Sequence, residues 1–308
     1  MLDNSVLVTV AIPAFNSEST LPLAIRSVFA QTYRNWELII LDDGSTDRTL
    51  ETIQQVSDPR VRVISDGQNR GLAYRLNQAT EESSGSLLFR MDADDIMHPR
   101  RIEKQVEFLN SNPDIDIVGT AAATIDASNQ ITGVRGYGPL PRTPWEIFRK
   151  GLLIHPSIAG RRAWFQNNPY DETYRRGQDY ELWCRTAGTL RAAKIQEPLL
   201  FYRDGYSGLD AYKSNLIYAR NTILRHGPQK IGHLRCKLLL SSLWVKKIVH
   251  NTAAHLNVRE LIIRRRTRKP SDSILRALSA ALTEVLNTDV PGLIEFQERE
   301  RISRPPSR

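Results

Sequence analysis

The sequence predicts a doubly wound α/β sheet followed by a helical, basic extension. Three observations carry that prediction. Short apolar segments rich in β-branched residues alternate with helix-spaced segments from Val6 to Met91, the pattern of successive β-α units. The strand segments are near-continuous apolar runs, as expected of parallel strands covered on both faces. Polar clusters follow the ends of three of them, at Asn16 with Glu18, at Asp42 with Asp43, and at Asp92 with Asp94. Ligands bind such sheets beyond the carboxyl ends of the strands, near the topological switch point, so the clusters are expected to converge on one crevice.

Val6 to Ile12 is the first strand, and Pro13 is expected to stop it. Ser19 or Thr20 can cap a helix whose apolar positions Leu21, Ile25, Val28 and Phe29 fall at helical spacing. Glu37 to Leu41 is the second strand and ends in Asp42-Asp43-Gly44-Ser45, by default a turn with a capping Ser45 or Asp47. A helix over Arg48 to Val56, a strand at Val61–Ile64, a helix over Gly71 to Ala79 and a strand at Ser86–Met91 complete the alternation. Further on, a helix from Arg100 to Leu109 precedes a strand at Ile115–Thr120, and residues 126–144 read as a loop or hairpin. Tyr180, Trp183 and Cys184 share a helical face and read as core, with Arg185 as an ion-pair partner. This leaves Asp179 at a helix N-terminus, where the dipole favours a carboxylate.

Beyond residue 210 helices dominate. Leu234, Leu238, Ser241, Val245 and Ile248 line one helix face, with Arg235, Lys237, Lys246 and Lys247 among the other positions. Ile262-Ile263-Arg264-Arg265-Arg266 follows, and Ser271 to Ser273 can cap a helix carrying Ile274, Leu278, Leu282 and Val285. The expected division is a catalytic domain at 1–210, a basic helical extension at 211–300 and a disordered tail at 301–308.

Charge follows this division. Residues 211–308 hold 19 Lys/Arg against 7 Asp/Glu, whereas residues 1–210 hold 23 against 27, so the net +8 belongs to the tail. Three readings suit the basic tail: a solvated helical surface, amphipathic helices between Leu234 and Lys269 resting on an anionic membrane, or a nucleic-acid site. No nucleic acid is expected, because no known module is present and aromatics do not interleave with the basic residues. The two cysteines, Cys184 and Cys236, argue against a disulfide framework or structural zinc and suit a reducing compartment. No signal-type or membrane-spanning run is seen, so a cytoplasmic protein is expected, one that can sit peripherally at the inner face of the plasma membrane.

The stretch Asp92-Ala93-Asp94-Asp95 carries the sharpest chemistry. Three carboxylates in four positions repel one another, and hard cations such as Mg²⁺ or Mn²⁺ are bound by one or two such groups together with water and substrate phosphate. The competing reading is a solvated turn in which Asp95 caps the helix after Pro99.

In order and spacing, a longer set of residues resembles the family 2 glycosyltransferases, inverting enzymes of the glycosyltransferase A fold. The matching residues are Val10 to Asn16 with Glu18, Gln31-Thr32, Asp42-Asp43-Gly44-Ser45 with Asp47, Asn69 with Gly71, Asn77, and Asp92 to Asp95. They continue through His155-Pro156-Ser157, Arg162, and Gln178 to Trp183 with Arg185, so the resemblance covers roughly residues 6–205. It implies a Rossmann-like nucleotide-sugar-binding sheet. Pro13, Phe15, Asn16, Glu18, Asp42, Asp43, Asn69, Asp92 and His155 would then hold the donor, with Asp42 facing the base. Asp94, helped by Asp92, would hold Mn²⁺ or Mg²⁺, and Asp179 would be the general base. Many relatives have Glu before that base; Gln178 stands here, and no proton-transfer role falls to it.

The implied reaction moves a sugar from a UDP-linked donor to the hydroxyl of a saccharide or lipid-linked acceptor, in the synthesis of cell-surface polysaccharide or glycolipid. A non-catalytic nucleotide-sugar-binding or scaffold protein is the main alternative, although neither Asp94 nor Asp179 is lost. A sugar nucleotidyltransferase would need a Gly-rich, basic first loop, and Pro13 to Asn16 is neither.

Overall fold

β1 (Val8–Ala14) is buried at every position, as its near-continuous apolar run requires of a strand with neighbours on both sides. In the computed structural model, which describes residues 5–204, 209–255 and 267–293, β1 pairs in parallel with β2 (Trp36–Asp42) and β4 (Leu87–Arg90). β2 pairs in parallel with β3 (Val61–Ser65). The chain thus runs outward from β1 to β3 and returns as β4 on the other side of β1. The reversal lies between β1 and β4 and opens a crevice beyond their carboxyl ends.

Pro13 does not stop β1, which continues to Ala14 with Pro13 in register opposite Leu41. Pairing with β4 ends at Ala11, so the strand is an edge on that side at Pro13 and the missing N–H is tolerated there.

The remaining strands make the sheet mixed. They are β5 (Ile96–Met97), β6 (Ile117–Ile125), β7 (Ile131–Arg135), β8 (Ala159–Arg161) and β9 (Ala192–Arg203). The order is β3-β2-β1-β4-β8-β6-β9-β5, with β7 on β6. β8 runs antiparallel to β4 and β6, and β5 antiparallel to β9, while β6 and β9 are parallel. Residues 126–144 supply the turn and second strand of a hairpin with β6 and the loop that follows, and β6 runs past Thr120 to Ile125 because β7 and β9 both pair with it.

Among the early helices, α1 (Leu21–Phe29) buries Leu21, Ala24, Ile25 and Val28 against the sheet. Thr20 precedes it without a side-chain cap; the backbone of Leu21 donates to the Ser17 carbonyl instead. α2 (Thr49–Ile53) is shorter than Arg48 to Val56 predicts, whereas α3 (Leu72–Glu82) and α4 (Arg101–Ser111) run slightly longer than expected. Asp95 is not a helix cap. Arg100 holds that position before α4, and Asp95 lies buried at the turn after β4.

The later helices are α5 (Pro144–Lys150), α6 (Arg162–Asn167), α7 (Gln178–Arg185), α8 (Leu209–Ile231), α9 (His233–His255) and α10 (Asp272–Leu286). Ile223 and Ile231 of α8 and Cys236 and Leu239 of α9 join the cluster around Leu182 and Trp183 of α7. Leu278, Leu282 and Val285 of α10 pack on Ala30, Ile96 and Phe201, and Ser271 caps this helix by accepting from the Ile274 N–H. The C-terminal helices therefore share their cores with the sheet. The predicted apolar face of Leu234, Leu238, Val245 and Ile248 points outward from α9. Ile262 to Arg266 and the predicted disordered tail at 301–308 lie outside the described residues.

Candidate functional site

The parallel strands deliver Asn16, Asp42 and Asp92 to neighbouring strand ends, so the sheet order itself assembles the three predicted clusters. Asp42 is buried at the end of β2, where Oδ1 accepts from the Ser45 N–H at 3.1 Å and Oδ2 from the Ser65 hydroxyl at 2.8 Å. Asn16 adopts a left-handed backbone with φ 48°, which its short polar side chain tolerates. Its Oδ1 accepts from the Thr46 N–H at 2.8 Å, and a Glu18 carboxylate oxygen accepts from the Arg48 N–H at 2.8 Å. Asn16 and Glu18 thereby tie the loop after β1 to the loop after β2. Phe15 stands exposed beside them, and Pro13 is buried in β1.

Asp43 is engaged by the chain's own donors. It accepts from the Arg70 N–H at 2.8 Å, the Gly71 N–H at 2.9 Å and Arg75 Nε at 2.9 Å. Burial works against the Arg75 charge, but hydrogen bonds to Asp66 and Asp43 hold its pKa above the ordinary value. Replacing Asp43 by Ala takes one of its two carboxylate partners from a guanidinium that is fully buried. The expected loss is about 3 kcal/mol, at the low end for a broken buried pair because Asp66 and the Gln68 carbonyl remain on Arg75. A urea-unfolding midpoint equal to wild type would contradict this. Gly71 has φ +92°, and a Cβ there would lie 2.5 Å from Arg175 Nη1, which also reaches exposed Asn69 Oδ1 at 3.3 Å.

Past β4, Asp92, Asp94 and Asp95 place one carboxylate oxygen each within 4.8 Å of one another. Burial, then the Asp92 and Asp94 charges, push the Asp95 carboxyl well above the usual range. Partial desolvation and the Asp92 charge also raise Asp94, whose side chain reaches solvent. Asp95 Oδ1 accepts from the Arg203 N–H at 2.8 Å, while its buried Oδ2 has no hydrogen-bond partner among the described residues. Three mutually repelling carboxylates, one of them with an orphaned buried oxygen, fit a hard divalent cation.

Two residues that sequence reasoning missed organise this cluster. Arg90, buried at the end of β4, grips Asp92 through both terminal nitrogens, Nη1 to Oδ2 at 3.0 Å and Nη2 to Oδ1. Two positions apart in an extended segment, Arg90 and Asp92 point to the same side. A charged residue closing an otherwise apolar strand just before the acidic run was the available signal. Arg203, at the end of β9, clamps the acidic turn by donating Nε to the Asp94 carbonyl at 2.8 Å and Nη2 to Asn129 Oδ1 at 2.6 Å. It pairs elements far apart in sequence and left no local trace.

Asp92, His155 and Asp179 line one cleft of about 1020 Å³. Asp179 sits in the first turn of α7, which Gly177 can start because φ +68° costs a glycine little. Burial raises the Asp179 carboxyl above its ordinary value, opposed by the Tyr180 N–H and the Arg90 charge. His155 is buried, its Nε2 lies 2.8 Å from the Tyr170 hydroxyl, and burial followed by the Arg90 charge hold its pKa well below the usual histidine value. The imidazole is therefore neutral at physiological pH. Trp183 is core, edge-on to His155 at 6.2 Å, and Arg185 pairs with Glu181 at 2.9 Å. The lining is cationic: among the described residues that line it, Arg90, Arg135, Arg149, Lys150, Arg175, Arg176, Lys194 and Lys246 outnumber the carboxylates of Asp92 and Asp179. Such a cleft focuses positive potential and so attracts an anionic ligand.

Comparison with known proteins gives this geometry a family. The family model described as glycosyl transferase family 2 matches residues 9–186. EpsE of Bacillus subtilis (strain 168), a glycosyltransferase by name, is 35% identical over 67% of this chain and 75% of its own. Among solved structures, S. aureus TarS 1–349 in complex with UDP-GlcNAc superposes with a TM-score of 0.58 at 15% identity, covering 97% of this chain and 93% of that one. The mannosyltransferase PcManGT from Pyrobaculum calidifontis, in complex with GDP-Man and Mn²⁺, gives 0.55 at 16% identity over 91% and 84%. The mixed α/β sheet is thus the glycosyltransferase A fold, and the chain belongs to glycosyl transferase family 2.

Proposed function

We propose that this glycosyltransferase moves a hexose from a UDP-linked donor to an acceptor hydroxyl with inversion, in the synthesis of a cell-surface polysaccharide or glycolipid. The observation that carries the reading is the meeting of Asp179 and Asp92 in one cationic cleft, with Asp94 and Asp95 beside Asp92. Asp42, at the end of β2 on the far side of β1, faces the nucleotide base, and Asn16 and Glu18 shape the loop over it. Asp94 and Asp92 would hold the divalent cation, Mn²⁺ or Mg²⁺, which when bound neutralises the departing diphosphate as a Lewis acid.

The chain's own groups do the rest. Asp179 takes the acceptor proton as the new glycosidic bond makes that hydroxyl acidic, and no covalent intermediate is needed. One base on the face opposite the leaving group gives inversion. Arg90 keeps Asp92 oriented, and its charge opposes the burial that would neutralise Asp179. Neutral His155, anchored by Tyr170, presents a ring to the cleft without adding charge.

A thermal-shift panel of nucleotide sugars tests the donor. A UDP-sugar is expected to raise the unfolding temperature only with Mn²⁺ or Mg²⁺ present, by mass action on the folded state. Stabilisation by a GDP-sugar instead would overturn the base assignment, and no stabilisation by any member would overturn donor binding.

A further inference from the structure

Helix α9 carries two apolar faces. Cys236 and Leu239 turn inward and are buried with Ile223. Leu234, Leu238, Trp244, Val245, Ile248 and Val249 turn outward, with exposures from 44% at Ile248 to 74% at Leu234. At about 100° per residue, Leu234, Leu238, Val245 and Val249 form one stripe along the helix, opposite Cys236 and Leu239. Isolated exposed apolar residues are ordinary on a protein surface, but a continuous stripe marks an interaction face. Arg235 borders the stripe on one side and Lys237 on the other, Lys246 and Lys247 lie further round the helix, and α9 has no Asp or Glu.

We propose that this face of α9 rests on the anionic surface of a lipid bilayer. It would lie in the headgroup layer, since no described helix is long and apolar enough to cross a membrane. Charge selects the occupant. A second copy docked across a two-fold axis would set this basic surface against itself, which like-charge repulsion disfavours. An anionic bilayer satisfies both parts, taking the stripe among its acyl boundary and the cations at its phosphates. Trp244 at the stripe's margin suits the same boundary.

α9 is also a wall of the catalytic cleft. Leu243, Lys246 and His250 line the cavity that holds Asp179. One helix therefore joins the bilayer-facing surface to the cleft, and an acceptor carried on a lipid arrives at the side where α9 sits. This last step rests on the proposed transfer reaction; the docking surface does not.

Co-sedimentation of the full chain with vesicles is the test. Binding is expected to phosphatidylcholine vesicles containing phosphatidylglycerol at low salt, with marked weakening at high salt and little binding to phosphatidylcholine alone. Leu238→Ser with Val245→Ser, and separately Arg235→Ser with Lys237→Ser, should each weaken binding about tenfold or more. Both pairs leave the buried face of α9 intact, so the thermal shift given by a UDP-sugar should be unchanged. The proposal fails if the wild-type chain ignores phosphatidylglycerol vesicles at low salt, or if both double variants bind as wild type does. It fails equally if light scattering shows a dimer that Leu238→Ser with Val245→Ser dissociates, which would assign the face to a second copy. Vesicle binding with no nucleotide-dependent shift would sink the donor reading and leave the docking surface standing.

Discussion

Asp179→Asn should reduce sugar transfer to a small residue and leave the donor bound. The amide keeps the size and the first-turn position of the carboxylate, but it cannot accept the acceptor's proton in the transition state. Loss of a general base costs roughly 10²- to 10⁴-fold in turnover, and single-turnover release of the sugar to acceptor would measure it. Donor affinity should change little, because Asp42, Asn16 and the acidic turn come from other strand ends. The acid side of the pH profile supplies a second readout. Burial raises the Asp179 pKa, and the base works only when ionised, so kcat/KM should fall as pH drops through a value above the usual carboxylate range of about 4. The residual activity of Asp179→Asn should lack that limb. Turnover near the wild-type rate would remove Asp179 from the base role.

The fold was legible where local pattern and burial coincide. The apolar runs of β1 and β2 and the helical spacing of Leu21, Ile25 and Val28 mark elements whose burial follows the pattern, throughout β1, at all but Glu37 of β2 and on one face of α1. Errors came where pairing decides. Pro13 stays in β1 because β4 has already stopped pairing there, and β6 outruns its expected end because β7 and β9 hold it on both sides. α9 shows the same limit, since apolar residues lie all around the helix and periodicity alone could not tell the outward stripe from the core.

The site divides similarly. The carboxylates that would meet donor and acceptor were legible as motifs, since their spacing is chemical. The groups that hold them were not, because Arg203 reaches the acidic turn from β9 and Tyr170 reaches His155 from the loop before α7. The oxygens of Asp43 accept from Arg70, Gly71 and buried Arg75, partners that its place in the motif does not indicate.

Asp94→Ala should separate stability from function. Three carboxylates whose oxygens lie within 4.8 Å of one another repel when ionised, and both Asp94 and Asp95 are pushed toward their neutral forms. A raised carboxyl pKa means stability that is full below the unfolded pKa and lost as pH rises through the folded one, so the cluster burdens the fold at neutral pH. Without metal, Asp94→Ala should therefore unfold at or above the wild-type temperature. Its donor binding should move the other way. With Mn²⁺ present, affinity for UDP should fall about 100-fold or more, the upper end of what lost support of a metal site costs. Titration with and without Mn²⁺ would show the wild type gaining affinity from the metal and the variant gaining none. Equal affinities for wild type and variant with Mn²⁺ would overturn the ligand assignment. Arg90 explains why Asp94 rather than Asp92 is the sharper probe: both Asp92 oxygens are held by the guanidinium, so removing Asp92 would also strand a buried cation. Asp94 carries no such partner among the described side chains, and its loss reports on the cation alone.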